Sequence, residues 1–125
     1  MHNYQRVACV LFVAGLAWGC GQQRLTKGVA LTGGDPYAGE RAITHYGCGS
    51  CHKIPGVSGA VGLVGPPLAG VGDRAYVAGE LTNRPANMIR WIQHPHSVNE
   101  RTAMPELGVT PQDAKDIAAF LYSLE

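Results

Sequence analysis

Charge is scarce in this sequence. Of 125 residues, 10 are Lys or Arg and 9 are Asp or Glu, for a net charge of +1. So small and balanced a charge gives nucleic-acid binding no support. Lysine is the rarest cation, at Lys27, Lys53 and Lys115 alone. A long hydrophobic run is missing too. Val7 to Trp18 is the apolar stretch near the start, and it is shorter than the roughly 20 residues that span a bilayer comfortably. Sustained periodicity is absent from Lys53 to Arg84, where glycine and proline recur instead. The length suits one domain. A domain with so few periodic segments has little apolar core of its own.

Cysteine is used sparingly as well, with four in the chain and only one CxxC pair. That pair lies in Cys48-Gly49-Ser50-Cys51-His52, which reads CGSCH. The CxxCH pattern is the one used to attach haem covalently. Two thiols three residues apart at a helix end face one side and reach the two vinyl groups of one haem. The histidine that follows is then placed to ligate the iron. Two other readings compete. A zinc site would need a second Cys/His pair at ligand spacing. A redox dithiol would follow a strand and start a helix, whereas the residues before Cys48 look helical. A buried haem would also supply the missing apolar mass.

The first 20 residues resemble an export signal. Arg6 precedes the apolar run, which ends in Ala17-Trp18-Gly19-Cys20. Small residues before a cysteine suggest a lipobox with lipidation at Cys20; ordinary cleavage and an uncleaved anchor are the alternatives. Each takes the domain out of the cytoplasm. Residues 21–34 are polar and glycine-bearing, which reads as a flexible linker. Asp35-Pro36 then opens a helix, with Asp35 as cap and Pro36 at the first helical position. Gly39, Ala42, Ile43 and Tyr46 share one face of it. A glycine inside a helix costs roughly 1 kcal/mol against alanine, and a close helix crossing at Gly39 would explain it. His45 reads as a surface histidine.

Within the glycine-rich middle, Gly65-Pro66-Pro67-Leu68-Ala69-Gly70 is the informative part. A rigid turn there leaves the Pro66 carbonyl free to accept from the second ring nitrogen of His52; a plain surface turn is the alternative. Pro85 to Gln93 reads as a helix that Pro95 ends. Its Trp91 is a core residue whose N–H needs a partner, and a haem propionate would serve. His94 and His96 read as solvent-facing. Met104 lies in the loop Thr102-Ala103-Met104-Pro105, and its thioether is a soft ligand suited to haem iron opposite a histidine. Met88 is the rival, placed inside a helix. Thr110-Pro111 opens the last helix, with Asp113 at the third position. Ala114, Ile117, Ala118 and Leu121 recur along it at helical spacing, which makes it the partner for the Gly39 helix.

From Asp35 to Glu125 the chain resembles a class I cytochrome c. The residues that carry the resemblance are CGSCH at 48–52, GPPLAG at 65–70, Arg74, and TAMP at 102–105 before a terminal helix. AGELTNRPANMIRWIQHP looks most like the cytochrome c domains attached to some bacterial haem–copper oxidases. The resemblance implies an all-α domain over 35–125, with three main helices and long loops around one haem c. It implies attachment through Cys48 and Cys51, iron ligation by His52 and Met104, orientation of His52 by Pro66, and a place for Arg74 near the propionates. Arg84 stands where those relatives often have Thr or Ser, so the cap before Pro85 is weak. The function implied is one-electron transfer between redox partners, a terminal oxidase or dehydrogenase among them, on the periplasmic side of a membrane. A haem-based sensor or a small haem enzyme subunit is the alternative. Either would need an open or displaceable sixth position, and a di-haem peroxidase would need a second CxxCH, which the sequence lacks.

Overall fold

The computed structural model describes residues 21–124. The signal-like segment and Cys20 lie outside them. Five α-helices occur among the described residues: α1 over 21–32, α2 Pro36–His45, α3 Pro85–Gln93, the short α4 Pro95–Val98, and α5 Pro111–Ser123. The chain is the all-α fold that the sequence implies.

Two helices begin as their sequences dictate. The Asp35 carboxylate accepts from Tyr37 N at 2.9 Å. The Thr110 hydroxyl accepts from Asp113 N at 3.1 Å and donates to the Asp113 carboxylate at 2.8 Å. Each bond satisfies a donor that the helix itself cannot. Arg84 makes no side-chain cap for α3. Gly47, at φ +71, ends α2 in the left-handed region. A 3-10 turn at Cys48–Ser50 follows.

The core forms where α2 crosses α5. Ile43 is 1% exposed, and Ala114 and Ala118 are fully buried. Full burial of a side chain such as Ile43 stabilises by about 1.5–3 kcal/mol. Gly39 makes the crossing possible: a Cβ there would run into the Asp116 backbone. Asp116 is itself buried, yet its Oδ1 accepts from Asp35 N at 2.8 Å and from Gln112 Nε2 at 3.0 Å. A buried carboxylate is costly unless it is bonded in this way, and this one ties the start of α2 to α5.

Residues 21–32 are helical and docked, where the sequence suggested a flexible linker over 21–34. Gly28 explains the difference. A Cβ at Gly28 would strike the Ala119 carbonyl, and one at Gly34 would strike the Lys115 backbone. These glycines permit close packing on α5, so tertiary contact stabilises a helix whose own pattern is weak. Lys27 also reaches Asp73 at 2.6 Å, an exposed pair worth about 0–1 kcal/mol.

The long middle is ordered by turns. A 3-10 turn at Val71–Asp73 leads into β1 Tyr76–Val77, which pairs antiparallel with β2 Leu81–Thr82. Gly72 lies on Tyr122 of α5. No helix among the described residues is long and apolar enough to cross a membrane.

Candidate functional site

A cavity of about 420 Å³ opens between α3, α5 and the loops, within the range of small-molecule and cofactor sites. Cys48, Cys51, His52, Pro66, Arg74, Trp91 and Met104 all line it. These are the seven site residues that the sequence singles out, and the fold brings them to one place. Ile43, Val71, Met88 and Leu121 supply much of the apolar wall.

The imidazole of His52 is held from one side. Its Nδ1 lies 2.8 Å from the Pro66 carbonyl oxygen. A carbonyl only accepts, so Nδ1 carries the proton, and in the neutral ring Nε2 keeps a lone pair. Gly65 makes room for the ring, because a Cβ there would collide with it. Gly65 N also donates to Cys51 O at 2.8 Å, which fastens this loop to the CGSCH turn.

Cys48 and Cys51 are free thiols, both half-buried. Burial pushes the Cys48 thiol above its ordinary range. A reactive CxxC pair has the opposite shift, produced by a helix N-terminus or nearby cations. The pair here follows the C-terminal end of α2. Both facts count against a redox dithiol. Among the described residues no group of three or more His, Cys, Asp or Glu side chains is arranged to hold a metal ion, so the zinc reading lacks its ligand set.

The two methionines at the cavity differ. Met88 is 2% exposed and belongs to the core. Met104 is half-buried on the loop after α4, where the Thr102 hydroxyl accepts from its backbone N–H at 3.2 Å. Arg74 donates to the carbonyls of Pro67 and Ala69, and so braces the loop that carries Pro66. Trp91 is half-buried. His45, His94 and His96 are exposed and are not among the residues that line the cavity.

Sequence reasoning overlooked two supports. Tyr46 donates to Asp113 at 2.7 Å. That bond raises the Tyr46 hydroxyl above its usual range and holds the Asp113 carboxyl below its own. Asn83 bonds to the backbone of Val71 and Arg74 and to Tyr122. Neither pair leaves a periodic signal, because the partners lie far apart in the chain.

Helices crossing at Gly39, with a CxxCH turn facing an apolar cavity, define a helical haem-protein domain. The cytochrome c family model matches residues 38–125, and the chain belongs to that family. Comparison with curated proteins and with solved structures gave no match. Membership supports a haem-based electron carrier and implies a covalent haem c. The residues fit such a group: the wall is apolar, the donor set holds one imidazole nitrogen and one loop thioether, and Gly65 leaves space for the ring of His52. Helix α1 precedes the matched region.

Proposed function

We propose that this chain is a one-electron carrier whose haem c is held by Cys48 and Cys51 through thioether bonds. His52 and Met104 would be the residues that ligate its iron. One observation carries this reading: one largely apolar cavity is lined by Cys48, Cys51, Met104 and a histidine whose Nδ1 is already engaged. When bound, the group supplies a reversible one-electron change at iron.

The chain's own residues set the conditions for that change. The Pro66 carbonyl keeps His52 in one tautomer and makes its Nε2 a better donor. The Met104 thioether would favour the reduced state of a bound haem and raise its potential. Ile43, Val71 and Leu121 keep water from the interior. The Trp91 N–H and the remaining N–H groups of Arg74 suit the propionate carboxylates.

The partners we infer are redox proteins at a membrane, a terminal oxidase or dehydrogenase, with the domain on the periplasmic side. The likeness of AGELTNRPANMIRWIQHP to oxidase-attached domains supports the first part. The apolar run ending at Cys20 supports export and a lipid anchor. Acid–organic extraction of the mature protein is expected to leave haem on the polypeptide. Haem recovered in the organic phase would exclude the thioether bonds. Ready binding of small exogenous ligands to the ferric protein would favour a sensor or an enzyme subunit instead.

A further inference from the structure

The Asn83 side chain makes two hydrogen bonds to the loop beside the site and one to α5. Its Nδ2 donates to Val71 O at 2.9 Å and to Arg74 O at 2.8 Å. Its Oδ1 accepts from the Tyr122 hydroxyl at 2.7 Å. The two carbonyls can only accept, so the amide orientation is settled by its partners and the tyrosine must donate. The backbone adds a fourth bond, from Asn83 N to Ala75 O at 2.9 Å. Tyr122 is 4% exposed on α5, and Gly72 of the 3-10 turn lies against its Cα. Segment 71–75 is thus clamped between Asn83, just after β2, and the terminal helix.

The clamp leads to the histidine. Arg74, whose carbonyl Asn83 holds, reaches back to the carbonyls of Pro67 and Ala69. Pro67 adjoins Pro66, whose carbonyl accepts from His52 Nδ1. The links are hydrogen bonds joined by short stretches of covalent chain, and two of the residues are prolines with fixed φ. We infer that Asn83 and Tyr122 are positioning residues for His52, transmitting the rigidity of α5 through Arg74 to the carbonyl that orients the imidazole. The part of this that concerns iron rests on the proposed haem ligation.

The Asn83→Ala and Tyr122→Phe variants of the haem-loaded protein test it. Tyr122→Phe keeps the ring over Gly72 and removes only the donor to Asn83, so it remains informative if Asn83→Ala does not fold. The first readout is solvent exchange of the His52 Nδ1 proton by NMR. It is expected to quicken roughly tenfold in Asn83→Ala, as for the loss of one net hydrogen bond, and less in Tyr122→Phe. The second readout is the reduction potential, expected to rise in the same order as the imidazole becomes a poorer donor. Arg74→Ala is expected to shift both in the same direction. Combined with Asn83→Ala it adds little, because both act on one chain of contacts. A lowered melting temperature with unchanged exchange and unchanged potential would overturn the proposal and leave Asn83 a merely structural residue. The proton readout does not require iron, so a wild-type protein without an iron–His52 bond would refute the ligation and leave the positioning claim open to judgement on exchange alone.

Discussion

At the scale of single residues, the two cavity methionines give the sharpest test. Met104 sits half-buried on a loop, whereas Met88 is 2% exposed in the core. Met104→Ala is expected to open the iron to small ligands and to lower the potential. Met88→Ala is expected to keep the coordination and to cost about 2–5 kcal/mol of stability by leaving a cavity. Ligand titration and thermal unfolding of both variants separate the roles, and the reverse pattern would exchange them. Asp113 offers a second test, in acid. The Tyr46 hydroxyl, then the Thr110 hydroxyl, hold its carboxyl below the ordinary range in the folded state. A folded pKa below the unfolded one adds stability that is present above the unfolded value, about 3.9. That stability is lost as pH falls through the folded pKa. Tyr46→Phe is therefore expected to flatten the decline of stability below about pH 4, measured as denaturant midpoint against pH. An unchanged acid limb would show that the bond contributes nothing there.

Among the elements, the fold depends on how closely α2 and α1 approach α5. Gly39 and Gly28 each stand where a Cβ would overlap backbone of α5. Backbone yields less readily than a side-chain tip, so overpacking here is expected to cost at least the usual 1–3 kcal/mol or so. Gly39→Ala is expected to lower global stability, because α2 carries the chain into the CGSCH turn. Gly28→Ala is expected to release α1 first, raising amide exchange across 21–32 while the haem spectrum stays as in the wild type. If both variants lost stability globally and equally, α1 would be as integral to the domain as α2. Residues 21–32 have a weak helical pattern of their own and depend on these tertiary contacts.

Over the whole molecule, the distribution of charge bears on partner choice. Between Gly47 and Gly70 the only Lys, Arg, Asp or Glu is Lys53. In the same segment Val61, Leu63 and Val64 are 71%, 87% and 74% exposed. Long-range steering of a partner toward this face is weak, since steering needs a net field. Electron exchange with the proposed membrane partner is expected to change little with salt as the Debye length shrinks from roughly 30 to 10 Å. A steep fall in rate over that range would reveal a charged docking face.

The sequence by itself determined whatever depends on near neighbours. CGSCH, the Asp35 and Thr110 caps and the helix-breaking Pro95 act within a few residues, so local chemistry is enough to read them. The face of α5 was legible for the same reason, since Ala114, Ile117, Ala118 and Leu121 repeat at helical spacing. The need for a close crossing at Gly39 was visible as a glycine out of place. The tertiary structure decided the rest. Residues 21–32 lack a strong helical pattern and are helical because Gly28 can meet Ala119. The order of the glycine-rich middle comes from side chains bonded to distant backbone, Asn83 to Val71 and Arg74 above all. Such bonds have no period, and their donors look like ordinary loop residues until the fold brings the partners within 3 Å. The convergence of Met104, Trp91 and Arg74 with His52 on one cavity is likewise a product of α2 and α3 packing on α5, because no local rule relates positions so far apart in the chain.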